Sequence, residues 1–222
     1  MCGRFIQKSE RKIITEEFYV QEFFNEVIIS YNVAPGQNAG IILNDGKNRY
    51  VQYKWGLVPS WAKDPQIGYK MINARAETVP EKPSFKSAFK SRRCLIPADG
   101  FYEWKKGDKF KVPYFIFHRS ERPLSLAGLW ETWKDKDEKP LHTFTIITTE
   151  ANELLRELHD RMPVIIPPEK REPWLDPATT DNDEIVDLLK PYDESGLDFH
   201  EVSRIVNSPQ NNTPECIAPV FH

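Results

Sequence analysis

The chain has 222 residues, of which 40% are hydrophobic and 28% charged, with a formal net charge of −3. That length and balance fit a soluble globular protein with ample room for a core, and the slight negative charge excludes a broadly basic surface. Any nucleic-acid site must then be a local patch of chosen Arg and Lys residues. The cysteines Cys2, Cys94 and Cys216 form neither a disulfide framework nor a metal motif, which fits a reducing cytosol. No apolar run is long enough for a signal peptide or a membrane span.

The chain begins Met1-Cys2-Gly3-Arg4. Removal of Met1 would give Cys2 a free α-amine beside its thiol, with reference pKa values of ~7.7–8.0 and ~8.5. Such a 1,2-aminothiol condenses with an aldehyde to an imine, and the thiol then closes a thiazolidine ring. A small residue at a disordered end is the bland alternative.

From Ser9 to Phe24, apolar residues at helical spacing predict a short amphipathic helix with Ser9 as its N-cap. Tyr31-Asn32-Val33-Ala34-Pro35-Gly36 reads as a rigid turn. Ile41–Leu43 and Tyr50–Trp55 flank Asn44-Asp45-Gly46-Lys47-Asn48, a strong hairpin signal. Trp55 is expected in the core, whereas Trp61 fits either the core or a base-stacking surface. Asn73, Arg75 and Glu77 alternate, so on a strand they share one face, either a polar cleft wall or a solvated surface.

Lys82, Lys86, Lys90, Arg92 and Arg93 interleave with Phe85 and Phe89, as on a helix with one apolar and one basic face. The next stretch, Cys94 to Lys105, reads as an apolar strand, a Pro-Ala-Asp-Gly turn and an aromatic strand carrying Glu103. Aromatic neighbours would raise its carboxyl pKa, which suits a general acid, although a surface Glu on an edge strand is the plain alternative. Gly107-Asp108 marks a hairpin turn. Three more strands are expected at Val112–His118, Ser125–Trp133 and His142–Thr149. A helix follows over Ala151–Leu158, capped by Thr149, and its C-terminal dipole would favour a cationic His159. The last third predicts short helices near Glu169–Leu175 and Asp183–Leu189, a strand at Phe199–Ser203 and a polar loop from Val206 to Asn212. No repeat or linker divides the chain, so 1–222 is expected to be one domain.

Met1-Cys2-Gly3-Arg4-Phe5, Tyr31-Asn32-Val33-Ala34-Pro35, Trp55-Gly56, Ile72-Asn73-Ala74-Arg75-Ala76-Glu77, Ala98-Asp99-Gly100-Phe101-Tyr102-Glu103-Trp104 and His159-Asp160-Arg161-Met162-Pro163 occur in this order. The set resembles the SOS-response-associated peptidase (SRAP) family, which senses abasic sites in single-stranded DNA. The likeness spans nearly the whole chain and shows no departure at the positions used for chemistry. It implies that Met1 is removed and that Cys2 is the nucleophile of a thiazolidine DNA–protein crosslink. Asn73 would fix the Cys2 amine or the sugar, Glu103 would act as general acid and base, and His159 would move protons during imine formation and crosslink reversal. Arg4, Arg75 and Arg161 would grip phosphates. Asn32 would lie on the DNA path, and Pro35, Trp61 and Trp104 would stack or wedge against flanking bases. Neither a cofactor nor a metal is implied. The expected partner is single-stranded DNA carrying an abasic site, met by a cytoplasmic, nucleoid-associated monomer.

The expected fold is α+β, with mostly antiparallel strands curled into a barrel-like core and short helices around it. Three rivals remain at the level of sequence. Class II glutamine amidotransferases also begin Met-Cys-Gly and use the Cys2 thiol on an amide. A single-stranded-DNA-binding module would do no chemistry, and a classical cysteine protease would act on other proteins.

Overall fold

Strands rich in β-branched and aromatic residues dominate the computed structural model, which describes residues 2–179 and 182–221. In chain order the strands are β1 Phe5–Gln7, β2 Glu22–Phe23, β3 Ser30–Val33, β4 Asn38–Asn44, β5 Asn48–Trp55, β6 Asn73–Arg75, β7 Arg93–Ala98, β8 Gly100–Lys106, β9 Lys111–His118, β10 Leu124–Lys134, β11 Pro140–Glu150, β12 Arg161–Pro163 and β13 Leu197–Glu201. The α-helices are short: α1 Arg11–Phe18, α2 Lys86–Ser91, α3 Glu153–Arg156, α4 Arg171–Leu175 and α5 Asn182–Asp187.

One sheet runs β12-β11-β10-β7-β4-β5-β2, and parallel pairing of β11 with β5 closes β11, β10, β7, β4 and β5 into a barrel. Closure removes the exposed edges that a five-stranded sheet would otherwise present. The second sheet has the order β13-β9-β8-β1-β3. Its alternating residues take opposite faces. Phe5, Phe101 and Ile116 pack with Trp55, Ile96 and Phe144 of the barrel in one buried cluster. Ile6, Tyr102 and Phe115 turn the other way, onto Val202, Val206 and Cys216 of the C-terminal segment. The expected α+β, barrel-like core is thus present.

The β4–β5 hairpin and the three long strands β9, β10 and β11 form where the sequence predicts them. The first helix is shorter than expected. It stops at Phe18 because Tyr19 adopts φ 50°, and Ser9 does not cap it. Ser9 instead donates its hydroxyl and its backbone N–H to the buried Asp99 carboxylate, which also receives Lys8 N–H. A buried carboxylate needs such donors more than a surface helix needs a cap. Thr149 likewise stays in β11, and Asn152 caps the four-residue α3 by accepting Leu155 N–H at 3.0 Å.

The basic helix face is also narrower than predicted. Phe85 and Phe89 are buried as expected, but Arg93 opens β7 and is 3% exposed. Its guanidinium donates to the carbonyls of Trp174, Phe89, Lys90, Asp176 and Thr179. It ties α2 to α4 and the loop beyond. Arg93→Met fills similar space but leaves those acceptors without donors, so the variant should lose about 3–5 kcal/mol in urea unfolding. A loss below about 1 kcal/mol would mean that water replaces the guanidinium at little cost.

Candidate active site

Register brings the N-terminus to Glu103. Phe5 pairs with Phe101 and Ile6 with Gly100, and Tyr102 N–H donates to Arg4 O at 2.9 Å. Continuing that antiparallel ladder by two residues sets Gly3 opposite Glu103. Along β8, Glu103 shares the inner face with Phe101, so its carboxyl points toward the cluster that contains Cys2 rather than to solvent. Cys2 is fully buried and Glu103 is 5% exposed.

Burial sets the electrostatics. Loss of hydration pushes the Glu103 carboxyl up to about 7. The Cys2 thiol is pushed up to about 12, mainly by burial and further by the neighbouring Glu103 charge. The thiol is therefore protonated at neutral pH, and beside it lies a carboxyl available in both protonation states.

A cavity of about 600 Å³ opens over this point, with Arg4, Glu103, Trp104 and His159 among its walls. His159 does not follow the dipole expectation. Its pKa is lowered, chiefly by desolvation, with Lys111 and Arg161 adding to the effect and Asp160 opposing it. A four-residue helix has little dipole to offer, so burial prevails. Nδ1 lies 3.0 Å from Arg161 N and 2.7 Å from Asp160 Oδ1. These contacts need opposite proton states. The neutral ring accepts from Arg161 N–H, while a ring that gains a proton can donate Nδ1–H to Asp160.

Arg4 is held from below. Its Nη1 donates to Asn32 Oδ1 at 2.6 Å and to Val206 O at 2.8 Å, and its guanidinium carbon lies 5.8 Å from the Trp104 ring centroid. Asn32 is buried, and its Nδ2 donates to the carbonyls of Val206, Ser208 and Asn211. Both ends of that side chain are therefore engaged with protein. Trp104 is half-buried and donates its indole N–H to Asn207 Oδ1 at 2.8 Å.

Asn73 and Arg75 lie on β6, which pairs in parallel with Ile146–Thr148 of β11. Asn73 Nδ2 donates to Ile72 O, while its buried Oδ1 has no hydrogen-bond partner among the described residues. β6 ends at Arg75, so Glu77 lies beyond the strand. There Glu77 takes a two-pronged contact from Arg161, with Nη2–Oε2 at 3.0 Å. That hydrogen bonding holds the Glu77 carboxyl below its ordinary range, and Arg75 adds to the effect. Arg75 is exposed.

Pro35 is half-buried in the turn after β3. Trp61 is 61% exposed and lines a different cavity with Tyr69 and Lys70. The structure therefore gathers Cys2, Arg4, Glu103, Trp104 and His159, groups Arg75 with Arg161, and sets Trp61 apart. Asn207 also belongs to this site, and its only signal in the sequence is an Asn-rich terminal loop. Among the described residues, no group of three His, Cys, Asp or Glu side chains could hold a metal ion. No helix there is long and apolar enough to cross a membrane.

The family model for SOS response associated peptidase (SRAP) matches residues 1–209. The chain belongs to the SRAP family. Among its relatives, the "Abasic site processing protein YoqW" of Bacillus subtilis is 52% identical over 98% of this chain and 99% of its own length. The "Abasic site processing protein HMCES" of Gallus gallus is 37% identical over 86% of this chain and 66% of its own length. A crystal structure of a protein from Bacteroides thetaiotaomicron superposes with a TM-score of 0.89 at 29% identity, covering 99% of this chain and 100% of that one. That protein shares the fold of this chain.

Proposed function

We propose that this SRAP chain captures abasic sites in single-stranded DNA as a thiazolidine at Cys2, once Met1 has been removed. The observation that carries the reading is the burial of Cys2 beside the likewise buried Glu103, whose carboxyl desolvation pushes up to about 7. The names of the relatives, abasic site processing proteins, support the substrate class.

The chemistry follows from the groups present. The closed abasic sugar is a hemiacetal. Opening it puts a proton on the ring oxygen, takes one from the anomeric hydroxyl and yields an aldehyde. Glu103 in its acid form gives the first proton, and the carboxylate so formed takes the second. The free Cys2 amine adds to the aldehyde carbon, and one water leaves as the imine forms. The sulfur then bonds to the same carbon, and the thiol proton passes through the Glu103 carboxylate to the imine nitrogen. A thiol buried this deeply needs that base. The product keeps the DNA strand intact, because the imine that would permit β-elimination has been consumed.

Asn73 Oδ1, an acceptor without a partner among the described residues, suits the amine N–H. His159 passes a proton when water leaves, with Asp160 positioned to receive its Nδ1–H. Arg4, Arg75 and Arg161 take phosphates, and Trp104, Pro35 and Trp61 contact flanking bases. Asn32 acts beneath Arg4, fixing the guanidinium that the phosphate meets. A denaturing gel of protein mixed with abasic single-stranded DNA tests the reading. It predicts a shifted band without reductant, and no shifted band from protein that retains Met1.

Arg161 meets phosphate only in competition with Glu77. Glu77→Gln weakens that competition and removes a negative charge from the path. Single-stranded DNA should then bind about three- to tenfold more tightly at low salt, with the gain shrinking as salt rises. Fluorescence anisotropy at two salt concentrations measures it. Unchanged binding would take Arg161 off the DNA path.

A further inference from the structure

The cavity walled by Gly3, Arg4 and Glu103 extends well past those residues. Its far wall is made by Phe110 and Lys111, where the β8–β9 hairpin turns back, and by Arg204 and Asn207 of the 3-10 turn Arg204–Asn207. Phe110 is 60% exposed. The Arg204 guanidinium carbon lies over its ring, 4.4 Å from the centroid.

That wall is held in place. Asn32, buried between the sheet and the C-terminal segment, donates to three carbonyls from Val206 to Asn211. Arg4 and Trp104 add one bond each, to Val206 O and Asn207 Oδ1. The turn carrying Arg204 is thus anchored to the same side chains that wall the reaction cavity. The charge balance there is uneven: Arg4, Lys111 and Arg204 face the cavity, against Glu103 as its single acid. An exposed aromatic ring beside two flexible cations, joined to a deeper polar cavity, suits a base and its phosphate.

We propose that Phe110, Lys111 and Arg204 form a nucleotide subsite that holds the residue on one side of the abasic position. Phe110 and the Arg204 guanidinium offer flat surfaces for the base, and Lys111 pairs with the phosphate. Neither reads base edges, so the subsite is tolerant of sequence. This assignment rests on the single-stranded-DNA reading above.

The test uses full-length protein and single-stranded DNA bearing a tetrahydrofuran abasic analogue. That analogue cannot open to an aldehyde, so the assay reads binding whether or not the chemistry occurs. Anisotropy is measured with nucleotides on both flanks and with each flank removed in turn. Loss of one particular flank should weaken wild-type binding about tenfold. Phe110→Ala and Arg204→Ala should weaken binding to the two-flank DNA by a similar factor and then be indifferent to loss of that flank. Phe110→Tyr should restore binding, and Lys111→Ala should reduce the slope of log affinity against log salt by about 0.7. Variants that match wild type, or that lose equal affinity for every DNA, overturn the subsite. Wild-type protein with no affinity for any of these DNAs overturns the single-stranded-DNA reading itself, and the subsite with it.

Discussion

Cys2→Ala protein, freed of Met1, gives no adduct that survives denaturation unless borohydride is added. Alanine keeps the α-amine, so the imine still forms and can be reduced to a stable amine. What is lost is the sulfur that would consume the imine. Imines hydrolyse readily, and this one also permits β-elimination, so the variant should cut a fraction of the DNA strands that wild type leaves whole. The reductant-independent yield should fall about a thousandfold, to the limit of detection, because no other cysteine can substitute. Cys94 and Cys216 are both buried, and neither carries a terminal amine. Equal stable yield from Cys2→Ala would transfer the linkage to another residue and remove the thiazolidine from the account.

Glu103→Gln should slow adduct formation by about 10²–10⁴, the range for loss of a positioned acid and base. Gln keeps the shape and the ability to hydrogen-bond, so DNA affinity should change little. In wild type the rate should turn over near pH 7, where the buried carboxyl divides between its two forms. The variant should lose that feature. A loss of DNA affinity as large as the loss of rate would make Glu103 a positioning residue.

The same substitution has a stability signature with a definite sign. The folded-state pKa is raised from 4.5 to about 7. The native protein therefore binds the Glu103 proton more tightly than the unfolded chain does. That contribution is fully present below pH 4.5 and is lost as pH rises through 7, where a charge must be held in the interior. The rise corresponds to about 3 kcal/mol. Glu103→Gln, uncharged throughout, should be more stable than wild type by about that amount at pH 8, and the gap should close by pH 4. Urea melts at the two values check this. A gap independent of pH would mean that the carboxyl titrates alike in both states. Greater stability with less activity is the usual mark of a charge kept buried for chemistry.

Local chemistry made much of this site legible in the sequence. The Asn-Asp-Gly turn announces the β4–β5 hairpin, and the aromatic residues on either side of Glu103 point to a carboxyl with a raised pKa. Cys2 announces itself by position alone. Features that depend on partners distant in the chain were not legible. Nothing near Trp55 shows that its strand will meet Phe144 in parallel and close a barrel. Arg93 looks like one more cation in a basic run until five distant and local carbonyls surround it. His159 looks like a helix-terminal cation until burial reverses the expected shift. The terminal loop gives no hint that Asn207 will receive the Trp104 indole, because that bond joins two segments brought together only by the second sheet. At Arg93 the local pattern yields to the larger cost of burying a polar group without its partner.

Capture at Cys2 is read out by intact mass after incubation with single-stranded DNA carrying one abasic site, in the absence of reductant. The protein should have lost Met1 and gained the mass of the DNA less one water, with Cys2→Ala showing only the unmodified mass. Protein that lacks Met1 and remains unshifted after full incubation would contradict it.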